Sequence, residues 1–370
     1  MGDLTQETGR DDGRHDERAA LLALDRLPGV GPRTVHKILS RFGSGRAAMA
    51  ARAPAFAAVA GREAAHARRV EIDTGASVRL LDRALETGMR VVAFGDADYP
   101  RRLEALADPP VLLFFRGRTT LLDAGGVAIV GLRRAPARAR ESARALGFAL
   151  ARRGVTVVSG LALGVDGAAH VGALEGGGPT TAVLGTGADV PYPRSHTRLF
   201  HRIAEHGLLV SEFAPGTRAA PWHFPRRNRV IAALADDVVV VAAGARSGAL
   251  ITVDHALDLG RDVWTVPGPI DGPGYRGSNR LLQDGAHPLV SIDAFADRFG
   301  PPVPSSAPPR STGLDGEARV LDVLADGDAP LDDVAARVGL PLPAVLHLLT
   351  SLELAGVVER LPGARFRRAA

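Results

Sequence analysis

The sequence predicts an α/β protein with a mostly parallel sheet, preceded by a helical domain and followed by a smaller helical domain. From Val127 onward, short apolar runs alternate with helical stretches at a spacing suited to right-handed βαβ units. These runs are apolar throughout, as expected of strands that are covered on both faces. Eight runs with strand character lie at residues 91–94, 111–115, 127–130, 155–158, 181–184, 208–210, 237–241 and 262–266. Their order predicts a Rossmann-like core.

Composition divides the chain into five segments. Residues 1–17 are polar and predict a disordered tail. Residues 18–85 repeat apolar positions every three and four residues, which predicts a helical domain of the helix-hairpin-helix or SAM-like type. Residues 86–298 form the predicted Rossmann-like core. A linker rich in Pro and Ser follows at residues 299–315, and residues 316–370 have the helices and terminal ribbon typical of a winged helix.

The chain has few side chains suited to covalent catalysis. All but one of its 45 basic residues are arginine, and the single lysine, Lys37, does not follow the Gly-rich turn of a phosphate-loop NTPase. The sequence has no cysteine, which excludes thiol nucleophiles, disulfides and Cys-ligated zinc. Arginine presents a planar fork of donors that binds phosphate and stacks on bases. We therefore expect a binding protein and not an enzyme.

The N-terminal segment predicts a cytoplasmic protein. Its first 20 residues are charged throughout and carry no apolar core of a signal peptide. No run of about 18 apolar residues occurs in the sequence, so no membrane partner is expected.

A Gly-x-Gly turn connects the first two predicted helices. The stretch LPGVGPRT, from Leu27 to Thr34, can direct backbone amides outward at the start of the second helix. Such a helix-hairpin-helix turn holds a DNA phosphate without reading sequence. The same turn is equally suited to be a plain packing module, and the sequence leaves both interpretations open.

Several strands of the predicted core end in Gly or Ser turns. Arg133 follows the strand at 127–130, Ser159 and Gly160 follow the next strand, and Arg246 and Ser247 follow the strand at 237–241. Carboxyl ends of parallel strands meet at one edge of a sheet, so these turns predict an anion-binding rim. A full GxGxxG motif is absent and no acidic residue ends the second of these strands. We therefore expect no dinucleotide or other cofactor.

The strongest local signal is a basic cluster at the start of an apolar helix. The stretch HFPRRNRVIAAL contains Arg226, Arg227, Asn228 and Arg229. Guanidinium groups and an amide at a helix start are suited to bind phosphate. A solvated charged face is the alternative, but the aromatic residues just before the cluster could also stack on exposed bases. The cluster therefore favours binding to a nucleic acid.

The histidines are weaker candidates. Asp166 and His170 lie four residues apart and could form a catalytic pair, although a structural carboxylate and a hydrogen-bonded histidine are the favoured interpretation. His196, His201 and His206 are spaced by five residues and do not share one helix face. No metal site is expected.

The C-terminal winged helix lacks the side chains of a sequence reader. Its third helix carries no Arg or Lys between Pro343 and Val358, whereas helices that read a major groove normally offer such residues. We expect a protein-interaction or weak DNA role for this domain. A sequence-specific transcription factor is disfavoured.

Seven motifs in a fixed order resemble those of the DNA-processing protein A family (DprA/Smf). The likeness extends over about residues 21–292, and the winged helix after a linker matches longer members. The motifs are VGLRR, SGLALGVDGAAH, GTGADVPYP, SEFAPG, FPRRNRVIA, RSGALIT and VPGPIDGPGYRGSN. A single one of them would be unspecific, but the ordered set is highly specific.

The resemblance implies a Rossmann-like core that binds single-stranded DNA without sequence preference, usually as a homodimer. It also implies a role in natural transformation, in which the protein shields incoming single strands and loads the recombinase RecA past single-strand-binding protein. The DNA-binding positions that it implies are Arg133, Ser159, Gly160, Arg227, Asn228 and Arg229, with Arg246 and Ser247 as further candidates.

Two positions depart from the family pattern. Leu132 stands where a small polar residue is usual, and Ala242 stands where a strand usually runs into Glu. The second departure removes a charge from the rim and argues against an essential acid there. The alternative function is a nucleotide-derivative hydrolase of the lysine-decarboxylase-like Rossmann group, but its PGGxGTxxE signature is absent.

Overall fold

The computed structural model describes residues 12–303, 319–354 and 356–368. The chain forms two compact units, Met1–Pro304 and Ser305–Ala370. The predicted helical domain and the Rossmann-like core belong to the first unit, and the predicted winged helix lies in the second.

Among the described residues, six helices precede the sheet. They are α1 (Asp12–Asp25), α2 (Pro32–Phe42), α3 (Gly45–Ala50), α4 (Ala53–Ala60), α5 (Arg62–Thr74) and α6 (Ala76–Glu86). Their apolar faces meet around Leu24, Ile38, Phe56 and Leu81, and this cluster continues into the first strands of the sheet through Phe114. The helical domain is therefore packed on the core, because both share one set of buried side chains.

Helix α1 begins earlier than the sequence indicates. Residues 12–17 were expected to belong to a disordered tail, but they form the first turns of α1. His15 hydrogen-bonds Asp82 at 2.8 Å, and the Glu17 carboxylate accepts from the backbone amide of Arg46 at 3.0 Å. These contacts with α6 and α3 hold a polar segment that would not form a stable helix alone. Residues 1–11 of the predicted tail lie outside the described residues.

Within the described residues of the first unit, one sheet of nine strands has the order β1-β2-β6-β5-β4-β3-β7-β8-β9. β1 pairs antiparallel with β2, and β2 pairs antiparallel with β6. All pairs from β6 to β9 are parallel. The strands are β1 (Arg90–Ala93), β2 (Leu112–Gly117), β3 (Val127–Gly131), β4 (Val157–Ser159), β5 (Thr180–Val183), β6 (Leu208–Ser211), β7 (Asp237–Ala242), β8 (Asp262–Thr265) and β9 (His287–Pro288).

The predicted mostly parallel sheet is thus confirmed. Each of the eight apolar runs overlaps a strand, whereas the two-residue β9 has no apolar run and was not predicted.

Helices cover both faces of the sheet. Val127 and Ile129 of β3 pack with α8 and α9 on one face, and the alternating Ala128 and Val130 pack with α11 and α12 on the other. This is why the strands are apolar at successive positions. The helices are α7 (Arg101–Glu104), α8 (Ala137–Ala151), α9 (Val165–Glu175), α10 (Thr197–His206), α11 (His223–Leu234), α12 (Ala249–Asp258), α13 (Arg276–Gln283) and α14 (Ile292–Asp297).

The first residues of the predicted linker pack on the core. The backbone amide of Val303 donates to the carbonyl of Arg152 at 2.8 Å, and Arg153 Nε donates to the carbonyl of Gly300 at 3.1 Å. Phe299 is half-buried against the α8 side of the core. The linker expected to begin at residue 299 therefore starts later than the composition indicates, and its residues 304–315 lie outside the described residues.

The second unit has the winged-helix arrangement that the sequence predicts. Helical residues 319–323 precede helices Leu331–Val338 and Leu342–Leu354, and β10 (Ala329–Pro330), β12 (Arg365–Arg368) and β11 (Val358–Leu361) form its sheet in that order. Val345 and Leu349 of the third helix are buried with Phe366. Burial accounts for only part of its apolar composition, because Leu342 and Leu346 stay exposed.

Among the described residues, no single helix is long and apolar enough to cross a membrane. One pair of helices in the second unit passes this test only when taken together, and the pair is bent by 109°.

Candidate functional site

A cleft of about 570 Å³ opens at the edge where β3 and β7 end. Arg133 reaches it from the turn between β3 and α8, Arg227 and Asn228 from α11, and Ser247 from the turn between β7 and α12. The structure thus brings together four of the predicted site residues from three segments. Parallel strands place their following turns on one edge, which explains this convergence.

Arg227 lies at the base of the cleft and is 3% exposed. Its Nη1 donates to the carbonyl of Gly160 at 2.8 Å and to the carbonyl of Val183. Among the described residues, no carboxylate comes within ion-pair distance of this guanidinium, although Asp166 acts on it at longer range. Burial lowers the pKa of Arg227 to about 10, so the group stays charged at neutral pH. The cleft therefore has a buried positive charge beneath it.

Gly160 and Ser159 support this charge from below. Ser159 is buried and its Oγ donates to the carbonyl of Ile129 at 2.6 Å. The amide of Gly160 donates to Asp166 Oδ2 at 3.1 Å. Strand-end amides were predicted to face a ligand, but the Gly160 amide is occupied by the Asp166 carboxylate. The Gly160 backbone therefore holds both Arg227 and Asp166 in place.

Asn228 joins α11 to the turn before α12, and Ser247 lies in that turn. Asn228 Nδ2 donates to the carbonyl of Gly248 at 3.1 Å, and Ser247 Oγ accepts from the amide of Ala249 at 3.4 Å. Arg246, one residue earlier, is exposed and does not line the cleft. The structure therefore places Ser247 at the cleft and Arg246 outside it.

Arg133 and two aromatic side chains form the rim of the cleft. The guanidinium of Arg133 is exposed and lies 4.7 Å from the ring centroid of Phe224. Tyr192, on the loop after β5, lies 5.5 Å from Phe224 at an interplanar angle of 34°. A cation that lies over the face of an aromatic ring is attracted to that ring electrostatically. Tyr192 belongs to the GTGADVPYP motif but was not predicted as a site residue, because that motif does not show that the ring lies beside Phe224.

Arg226 and Arg229 face away from the cleft. Arg229 Nη2 donates to Glu212 Oε2 at 2.6 Å and Arg226 Nε donates to the same oxygen at 3.2 Å. Arg229 also lies 3.5 Å from Asp108, and Arg226 lies 3.5 Å from Asp25 of α1. These two arginines connect helix α11 to β6 and to the N-terminal helices.

The predicted single phosphate site over residues 226–229 is therefore divided by the structure. Arg226 and Arg229 are three residues apart and share one face of α11, whereas Arg227 is turned by about 100° from Arg226. Carboxylates neutralise the charges of Arg226 and Arg229. Only Arg227 and Asn228 of this cluster line the cleft.

The ion pair between Arg226 and Asp25 depends on pH, because the Asp25 carboxyl is buried. Burial raises its pKa from 3.8 to about 6, against the effect of Arg226. A raised pKa means that the folded state binds the proton more tightly, so stability is present at low pH and is lost as pH rises through about 6. Relative to Asp25→Asn, we expect the wild type to gain about 2 kcal/mol between about pH 7 and about pH 4.5.

Urea unfolding of both proteins at each pH measures this difference. A difference that does not change with pH would show that Asp25 titrates in its ordinary range.

Asp166 and His170 do not form a pair. His170 Nδ1 hydrogen-bonds Thr180 Oγ1 at 2.7 Å, while the Asp166 carboxylate accepts from Gly160. Burial lowers the pKa of His170 to about 3 and raises the pKa of Asp166. The structural interpretation of these two residues is supported by these contacts.

Family models match nearly the whole described chain. The model described as DNA recombination-mediator protein A matches residues 90–300. A DprA winged helix domain matches residues 301–364, and a DprA-like N-terminal HHH domain matches residues 15–74.

Curated proteins and solved structures agree with these models. Protein Smf of Escherichia coli is 40% identical over 283 residues, which cover 73% of this chain and 76% of that protein. A putative DNA processing protein DprA of Mycobacterium tuberculosis is 38% identical over 311 residues, 79% of each chain. The X-ray structure of DNA processing protein A from Streptococcus pneumoniae aligns with TM-score 0.65 at 33% identity, over 76% of this chain and 97% of that one.

A structure of DNA processing protein A from Helicobacter pylori, described for its single-stranded DNA binding mode, aligns with TM-score 0.53 at 30% identity. It covers 57% of this chain and 95% of that one. With its ordered motifs, its sheet and its winged helix, the chain belongs to the DNA recombination-mediator protein A family.

Proposed function

We propose that this chain binds single-stranded DNA without sequence preference and acts on it as a binding protein, not as an enzyme. The observation that carries the proposal is the cleft above Arg227, a buried guanidinium that no carboxylate among the described residues pairs at close range. Asp166 acts on this guanidinium only at longer range. A buried charge without a close counter-ion is costly, and a phosphate in the cleft would supply one. Arg133 at the rim adds a second cation for the same strand.

The polar groups of the cleft support binding without base readout. Asn228 Nδ2 donates one of its two hydrogens to the carbonyl of Gly248, which fixes the side chain in place and leaves at most one donor for a base edge. The rings of Phe224 and Tyr192 at the rim offer faces on which any base can stack. Contacts to phosphate position a strand but carry no sequence information.

We also propose that the chain mediates recombination by loading RecA onto single strands covered by single-strand-binding protein, as a homodimer in the cytoplasm during natural transformation. Membership of a family described as DNA recombination mediators supports this proposal. In it, Gly160 acts by holding Arg227, and Ser159 acts by fixing the strand end through its bond to Ile129. Arg246 and the Leu27–Thr34 turn are further candidates for DNA contact, because Arg246 and residues 28, 29 and 33 of the turn are exposed. A bandshift series with RecA, single-strand-binding protein and this chain tests the loading step.

Arg133→Ala is expected to weaken binding of a short oligo-dT about fivefold and to lower the salt slope of binding by about 0.7. Arg133 is exposed and forms no ion pair among the described residues, so the substitution leaves the fold intact. Arg133→Lys keeps the charge and should lose less. Fluorescence anisotropy at several salt concentrations measures both quantities.

The matched control is Arg118→Ala, at the opposite edge of the sheet, where Arg118 follows β2. Wild-type affinity in Arg133→Ala would contradict the proposed site. Preference for a specific duplex over oligo-dT would instead support a transcription factor, and release of free base from nucleoside monophosphates would support the hydrolase alternative.

A further inference from the structure

A second groove, of about 760 Å³, adjoins the cleft and is strongly basic. The titratable residues that line it are five arginines and one histidine, and no Asp or Glu lines it. These residues are Arg133, Arg134, Arg140, Arg198, Arg202 and His196. A groove with five arginines and no acid carries a positive potential that attracts a polyanion.

The arginines lie on two sides of the groove, and small residues form the floor between the two sides. Arg140 belongs to the first turn of α8, and Arg198 and Arg202 lie four residues apart on one face of α10. Gly164 and Gly167, at the start of α9, form part of the floor. An extended chain can therefore lie over α9 with cations on both sides.

Four of these cations have no counter-ion among the residues that the structure describes. The side chains of Arg134, Arg140, Arg198 and Arg202 form no hydrogen bond or ion pair with another described residue. One turn further along α8, Arg144 is bonded to both carboxylate oxygens of Glu175, at 2.5 and 2.8 Å. The unpaired set thus ends where α8 meets an acid of α9. Like charges held together without a partner destabilise a fold unless they bind an anion.

The groove is suited to a backbone and not to bases. It has no Phe, Tyr or Trp in its lining, whereas the cleft has Phe224 and Tyr192. Arg133 and Arg134 line both spaces. A strand that leaves the cleft would therefore pass these two arginines and enter the groove directly.

We propose that a single DNA strand bound in the cleft continues through this groove over α9, where Arg140, Arg198 and Arg202 bind its phosphates. This inference rests on the proposed function. It adds a second, purely electrostatic subsite, which contributes affinity only when the strand is long enough to reach it. An acidic protein segment is the competing occupant.

The test is Arg198→Ala with Arg202→Ala in the full chain, bound to two lengths of oligo-dT, about 6 and about 20 nucleotides. We expect about tenfold weaker binding of the longer strand and a salt slope lower by about 1.4, since each lost phosphate contact contributes about 0.7. Binding of the shorter strand should equal that of the wild type. Arg198→Lys with Arg202→Lys should restore most of the longer strand's affinity.

Arg116→Ala with Arg118→Ala is the matched control. It removes the same charge at the end of β2, which pairs with the first residues of β6 and so lies at the opposite edge of the parallel strands. This control should bind both lengths as the wild type does. Equal unfolding midpoints of all variants would show that the fold is retained, and only variants that meet this condition are compared.

Wild-type affinity of the groove variant for the longer strand would overturn the inference and leave the proposed function standing. Equal losses for both lengths, or for the control, would also overturn it, because the effect would then be one of net charge. If the wild type bound neither length, the proposed function and this inference would fail together.

Discussion

Replacing Arg229 with Ala is expected to lower the free energy of unfolding by about 3–5 kcal/mol, because it leaves a buried carboxylate without its main partner. Arg229 is 3% exposed and donates to Glu212, whose side chain is 2% exposed. Among the described residues, Arg226 is then the one cation left in an ion pair with that carboxylate, at 3.2 Å. Urea unfolding followed by circular dichroism measures the loss.

A second substitution separates charge from packing. Arg229→Ala with Glu212→Gln removes the uncompensated charge, so this double variant should be more stable than Arg229→Ala alone. At urea concentrations below its unfolding midpoint, the Arg229→Ala variant should still bind oligo-dT, since Arg229 does not line the cleft. Loss of DNA affinity in a fully folded Arg229→Ala protein would return Arg229 to the binding site.

Gly160→Ala is expected to weaken binding to oligo-dT about 30-fold, since it displaces the guanidinium at the base of the cleft. A Cβ at this position would lie 2.6 Å from Arg227 Cζ, closer than any side chain tolerates. The backbone of Gly160 is not in the left-handed region, so the effect comes from this overlap and not from strain. Because Arg227 is surrounded by protein, we also expect a loss of about 1–3 kcal/mol in stability.

A double-mutant cycle with Arg227→Ala tests this cause. If Gly160→Ala acts through Arg227, the double variant should bind no more weakly than Arg227→Ala alone. Additive losses would mean that Gly160 contacts DNA by itself. Unchanged affinity in Gly160→Ala would contradict the role assigned to Arg227.

Local patterns predicted the elements of the fold well. An apolar run predicts each of the strands β1 to β8. In β3, Val127 and Ala128 face different layers of helices, so both must be apolar. The two-residue β9 has no such run. The helical start of α1 was missed because its stabilising partners, Asp82 and Arg46, are distant in sequence.

The sequence predicted which segments of the chain form the site. Arg133, Arg227, Asn228 and Ser247 converge as the sheet-edge argument requires. The arginines of the groove, Arg198 and Arg202, were overlooked although their spacing of four residues is a local signal for one helix face.

By itself, the sequence determined the mostly parallel sheet, the winged helix and the edge at which the Gly and Ser turns meet, because these depend on periodicity and strand order within short windows. Only the tertiary structure decided which arginine of the FPRRNR stretch is available to a ligand. Asp25, Asp108 and Glu212 come from distant segments, and their carboxylates neutralise Arg226 and Arg229 while Arg227 stays beneath the cleft. Such pairing depends on contacts between segments far apart in the chain, which no local pattern encodes.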